Sequence, residues 1–210
     1  MASPLPPRSP QSPPAADLTR QRLIRAALEL FTSRGYHDTT TAEIARKAGV
    51  AEGTIYRHFR SKQQLWNELY RAALRWAAKL VPDADAGRDS RAQLERLAQA
   101  LVEGAARDPA VVTLGLLDRH AWGGGGAGGG GGLLDDESRK TAREFHAALE
   151  RVIAQGKADG AVRAGAVEVW AAVWLAVACY ALEKIVAKEW KPGDGGVGLV
   201  IEGAWEAISA

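Results

Sequence analysis

The chain has 210 residues, 47% apolar and 25% charged, with a formal net charge of +2. That much apolar chain supports one large or two small packed domains, and it excludes a fibrous or wholly disordered protein. The single cysteine, Cys179, excludes an intrachain disulfide framework and a multi-cysteine metal site.

Residues 1–16 hold six of the nine prolines and almost nothing to bury, so they read as a disordered or extended tail. Residues 17–80 carry 12 Lys and Arg against 6 Asp and Glu, whereas residues 81–210 carry 14 against 19. A basic front and an acidic back suit a front that meets a polyanion, although an ordinary solvated surface would show the same excess.

From Leu18 the pattern is helical. Leu23, Ile24, Ala27, Leu28 and Phe31 recur at spacings of three and four, and Gly35 follows as a C′ stop. Thr40 and Glu43 form an S/T-x-x-E capping box that opens a short second helix, and Gly49 ends it. A third short helix runs from about Glu52 to Phe59. Ser61 and Gln64 repeat the capping pattern ahead of a long fourth helix from Lys62 to about Val81. Further helices are predicted over 88–107, 109–121, 135–156, 166–190 and 197–209. No segment alternates apolar and polar residues over a strand length, so the chain is read as all-α.

Two short helices joined by a glycine turn over about residues 40–59 have the layout of a helix-turn-helix, although a plain helical hairpin in a bundle has the same spacing. Gly49 can take positive φ in the turn, Val50 and Ile55 anchor the pair, and Phe59 belongs to the core. The second of these helices would expose Glu52, Gly53, Thr54, Arg57 and His58. A glycine inside a helix costs about 1 kcal/mol relative to alanine, which makes sense where a partner must approach the backbone closely.

Other chemistry finds little support. The four histidines show no H-x-x-x-H or H-E-x-x-H spacing, and there is no G-x-S-x-G elbow or Walker motif. No catalytic residue, metal ligand or cofactor is therefore assigned. Asp135, Asp136 and Glu137 read as the acidic start of a helix. Gly123 to Gly132 holds nine glycines and Ala127; with a helix before it and no Lys-Ser/Thr after it, it reads as a flexible linker. The longest charge-free apolar run, Val169 to Leu182, has 14 residues, short of the roughly 20 that span a bilayer, and the N-terminus lacks a secretory pattern. A cytoplasmic protein with no membrane partner is expected.

The run from Thr39 to Lys62 (TTTAEIARKAGVAEGTIYRHFRSK), with Ala26–Phe31 and Arg34-Gly35-Tyr36 before it, resembles the tetracycline-repressor (TetR) family over about residues 18–78. Ala51 departs from the serine usual there, which weakens the cap of the recognition helix by roughly 0.5–2 kcal/mol. The resemblance implies an N-terminal three-helix helix-turn-helix domain over 17–80 and a C-terminal helical ligand-binding and dimerisation domain over 81–210. It implies that Thr40, Thr54, Tyr56, His58 and Lys62 contact phosphates of an operator. It places Thr41, Glu52, Gly53 and Arg57 at the major groove, where Arg57 could read a guanine and Glu52 could accept from cytosine. Glu52 could equally serve helix N-terminal amides, and the Tyr56 ring could pack inward with only its hydroxyl outside.

The same resemblance implies a homodimer through helices 166–190 and 197–209, the first of which is apolar nearly all round and needs cover on every side. It also suggests release by a small apolar or aromatic effector. Trp76, Trp122, Trp170 and Trp174 are candidate lining residues, with Trp66 either joining them or packing under the DNA-binding domain. The expected protein is a homodimeric repressor. A helical small-molecule-binding module with lapsed DNA binding, or an unrecognised helical enzyme, remains the alternative.

Overall fold

The computed structural model describes residues 15–82, 89–117 and 132–210. Among them the elements are all helical: α1 Ala15–Arg34, α2 Thr41–Lys47, α3 Glu52–His58, α4 Lys62–Leu80, α5 Ser90–Arg107, α6 Pro109–Val112, α7 Asp136–Ala158, α8 Val167–Val186 and α9 Gly195–Glu206. Among the described residues the one extended pairing is an isolated antiparallel bridge between Val162 and Ser209, which ties the last residues to the segment after α7.

The ends of the first helices follow local chemistry. Helix α1 starts at Ala15, inside the segment expected to be tail, and stops where Gly35 takes φ +90°. Thr40 Oγ1 accepts from the Glu43 N–H at 3.2 Å while the Glu43 carboxylate accepts from the Thr40 N–H at 2.9 Å, closing the expected capping box. The Thr40 N–H, with the Thr40 hydroxyl donating to the same carboxylate at 3.0 Å, holds the Glu43 carboxyl below the usual carboxylate range. At α4 the box is only half formed. Ser61 Oγ accepts from the Gln64 N–H, but Gln64 reaches back past Ser61 to the Arg60 N–H.

Helix α1 and the first turns of α4 bury Leu23, Ala27, Phe31, Ile44, Ile55, Phe59 and Leu65 in a small core. Trp66 packs inside it, stacked on Tyr70 with centroids 5.2 Å apart and edge-on to Tyr36. It therefore lies under the reading head rather than in a ligand cavity. The predicted helix 109–121 differs from the structure in character. After Val112 it becomes a π-helical turn, Thr113–Leu117. There the Gly115 backbone lies so close to α4 that a Cβ would sit 2.8 Å from the Ala73 methyl. The rest of that helix, Trp122 and all of the Gly123–Gly132 segment but Gly132 lie outside the described residues.

Helix α4 runs from the reading head into the C-terminal bundle and packs along α7; α8 packs on α9, α5 and α7. The charge-free run of 14 residues understates α8. Its 20 residues are long and apolar enough to cross a membrane by length and composition alone. In the fold Ala171, Trp174, Leu175, Ala178 and Leu182 face the core, and Val169 and Tyr180 lie on the open side, about half exposed.

Candidate nucleic-acid interface

Helices α2 and α3 meet through a turn in which Gly49 has φ +69° and the Val50 N–H donates to Ala45 O. Ile44, Ala45, Ala48 and Ile55 bury the inner sides of both helices. The outer sides are thereby fixed in orientation, because each short helix has only one apolar face to bury.

The predicted reading residues sort into free and engaged groups. Glu52, Gly53 and Arg57 are exposed on α3, and Arg57 has no hydrogen bond or ion pair to any described residue. Glu52 is equally free, so its carboxylate is not spent on the helix amides. A Cβ on Gly53 would meet nothing within 4 Å, so no protein packing demands the glycine. Gly53→Ala is accordingly expected to stabilise the chain by roughly 0.5–1 kcal/mol in urea unfolding.

Thr40 is exposed at the α2 N-cap, and Thr54 is half-buried at the third position of α3. The Tyr56 ring is 55% exposed rather than packed inward. Its hydroxyl lies 3.2 Å from Thr41 Oγ1, a bond that links α3 to the start of α2. His58 is half-buried against Phe59 with ring centroids 6.4 Å apart. Ala51 caps α3 with its backbone alone, as the sequence foretells.

Lys62 behaves differently from a free phosphate ligand. Its ammonium donates to Tyr36 O and Thr39 O, both at 2.8 Å, and lies 4.2 Å from the Tyr36 ring centroid. Burial pulls its pKa down, partly opposed by Asp38. One N–H remains for an anion, so Lys62 holds the α1–α2 turn in place before it can hold anything else.

A second polar array escapes the sequence reading. Gln63, Asn67 and Arg71 form an i, i+4, i+8 stripe on α4. Gln63 donates to Gly132 O and Leu133 O. Asn67 donates to Leu133 O and accepts from the Asp135 N–H. Arg71 donates to both Asp135 oxygens at 2.9 and 2.8 Å and to Ser138 Oγ. Burial pushes the Asp135 carboxyl up, but the Ser138 and Arg71 bonds outweigh it and leave it below its ordinary range. Asp135 is also the N-cap of α7, so the acidic start of that helix is fastened to α4. The only available signal was polar spacing along an otherwise apolar helix side.

The described candidate ligand tryptophans, Trp76, Trp170 and Trp174, do not line one cavity. Trp76 lines a cleft beside α5, Trp174 is fully buried in the core, and Trp170 packs on Gly165 beneath the Arg163 guanidinium. Cys179 is half-buried 3.8 Å from Leu116 O, and burial raises its thiol to about 12, far from a reactive thiolate. Among the described residues no group of three or more His, Cys, Asp and Glu side chains gathers.

A stapled pair of short helices, with its second helix presenting an arginine and a bare glycine to solvent, has the layout of a helix-turn-helix. The profile of bacterial regulatory proteins, tetR family, matches residues 23–69. The HTH-type transcriptional regulator SrpR of Pseudomonas putida is 52% identical over 50 residues, 24% of this chain and 24% of that protein. The HTH-type transcriptional repressor KstR2 of Rhodococcus jostii is 34% identical over 110 residues, 49% of this chain and 54% of that protein. A crystallised TetR family transcription regulator from Marinobacter aquaeolei shares the fold, with a TM-score of 0.72 at 17% identity, covering 92% of this chain and 96% of that one. Residues 23–69 therefore match the tetR family of bacterial regulatory proteins, and the relatives the chain resembles are named as HTH-type transcription regulators. Its matches to the first curated relatives span only about a quarter to a third of their length.

Proposed function

We propose that the chain is a homodimeric repressor that grips a palindromic operator in the cytoplasm through α3 and is released by a small apolar or aromatic effector. The observation that carries the DNA half is the outer face of α3, where Arg57 has no hydrogen bond or ion pair to any described residue and can pair with a guanine edge. Thr40, Thr54, Tyr56 and His58 surround it with donors suited to phosphates, and Thr41, Glu52 and Gly53 complete the groove-facing surface.

The dimer half rests on α8 and α9. Val169, Ala172, Ala176 and Tyr180 form an apolar stripe on the open side of α8, and Leu199 on α9 is 71% exposed. A twofold partner covers such a face and sets two reading heads on successive half-sites.

The test is fluorescence anisotropy with the DNA immediately upstream of the chain's own coding region, across a salt series. Binding that resists random competitor and weakens on the order of 10³–10⁵-fold between 50 and 200 mM salt is expected of a head gripping several phosphates. Affinity equal to that for random DNA, both there and in a genome-wide fragment selection, would sink the reading.

A further inference from the structure

Helices α1, α4, α5 and α6 leave between them a cleft of about 290 Å³. Leu28, Leu69, Ala73, Trp76 and Val111 give it apolar walls. Well-packed helix junctions rarely keep such a space, because unfilled volume between apolar side chains forfeits contacts. The Trp76 indole lies directly on the α5 backbone at Gly104, where any Cβ would collide with the ring, so α4 and α5 meet around this side chain without closing the space. The cleft is formed jointly, since Leu28 belongs to the reading head and Val111 to the bundle.

Charge at the mouth is unevenly spent. Asp108 takes the Arg25 guanidinium at 2.7 Å; Arg25 also takes Glu29 at 2.7 Å, and Glu29 takes Lys47 at 3.0 Å. Arg107, next in chain to Asp108 and also lining the cleft, is exposed and has no ion pair or hydrogen bond to any described residue. The acids each have a cationic partner within the chain, although Asp108 Oδ1 is buried without a hydrogen-bond partner, and the Arg107 guanidinium is left over beside an aromatic wall.

We propose that this cleft binds a small amphipathic carboxylate, its flat apolar body against Trp76 and its carboxylate on Arg107. This rests on the effector half of the function proposed above and, of the candidate tryptophans, keeps Trp76 alone, placing the effector site at the junction with α1. An occupant there touches the reading head and the regulatory helices at once, and so favours whichever relative placement of the two it fits.

The experiment is calorimetric titration of the full chain, without DNA, with 2-naphthoate and with its uncharged isostere 2-naphthamide. The acid is expected to bind about tenfold tighter than the amide, the share of a charge-assisted hydrogen bond that survives at an exposed arginine. Arg107→Gln removes that difference. Ala72→Phe, at an exposed position of α4 lining the cleft, fills the space and abolishes both titrations, with a thermal melt confirming the fold. Equal affinity for acid and amide, absence of binding by either, or acid binding that survives a folded Ala72→Phe overturns the proposal. If Ala72→Phe does not fold, the Arg107→Gln comparison decides alone. Because no DNA is present, failure here leaves the DNA-binding reading intact, and failure of operator binding leaves this site standing.

Discussion

Arg57→Ala is expected to weaken operator binding about ten- to hundredfold and to leave the melting temperature unchanged. An arginine paired bidentately with a guanine contributes roughly 1–3 kcal/mol of discrimination. In the free chain Arg57 is exposed and has no hydrogen bond or ion pair to any described residue, so its removal is expected to cost the fold little. Lys62→Ala is expected to separate from it. That change strips two carbonyl bonds and a ring contact from the turn before α2, and it should cost about 1–3 kcal/mol of stability together with affinity. The double variant should lose operator binding altogether and remain a dimer. Anisotropy titrations beside urea melts of each variant check this. Undiminished operator affinity in Arg57→Ala would mean that α3 is not the reading helix.

The contrast between these two residues shows what a sequence can and cannot reveal. The Thr40–Glu43 box, the Gly35 and Gly49 stops and the outward face of α3 rest on interactions within a few residues, so spacing alone announces them. The partners of Lys62 lie 26 and 23 residues back, at Tyr36 and Thr39, and nothing in the local pattern points there. The same distance hides the α4 stripe, since Asn67 and Arg71 meet Leu133 and Asp135 across 66 and 64 residues. Tyr56 misleads for another reason. An aromatic residue in a short amphipathic helix is a natural core candidate, but Ile55 and Phe59 already fill the inner side of α3 and turn the Tyr56 ring outward. Abundance alone groups the tryptophans; among the described ones the fold sets Trp66 in the reading head, Trp76 at the junction with α5, and Trp170 and Trp174 on α8. The π-helical turn after α6 also has no local signature; it lies where the Gly115 backbone approaches Ala73, far away in sequence.

Ala176→Glu is expected to be more damaging to DNA binding than any change on α3, although it lies far along the chain from the reading head. Ala176 is exposed on α8 between Ala172 and Tyr180, so the isolated subunit gains a solvated carboxylate and keeps its core. In a twofold dimer built on this face the same substitution sets a carboxylate from each copy into an apolar contact, where burying an unpaired charge is far costlier than exposing it. The dimer should come apart at micromolar concentration. Two linked heads bind an operator as one unit, with the second contact drawing on a high effective concentration. Losing that linkage is expected to weaken operator binding on the order of 10²–10⁴-fold, even with Arg57 and Lys62 untouched. Sedimentation velocity reports the subunit state and anisotropy the affinity. A wild-type chain that sediments as a monomer, or an Ala176→Glu chain that remains dimeric and binds its operator normally, would place the interface elsewhere. The expected result would instead show that the stripe Val169–Ala172–Ala176–Tyr180, apolar enough in composition to be mistaken for part of a membrane span, is the covered face of a DNA-binding pair.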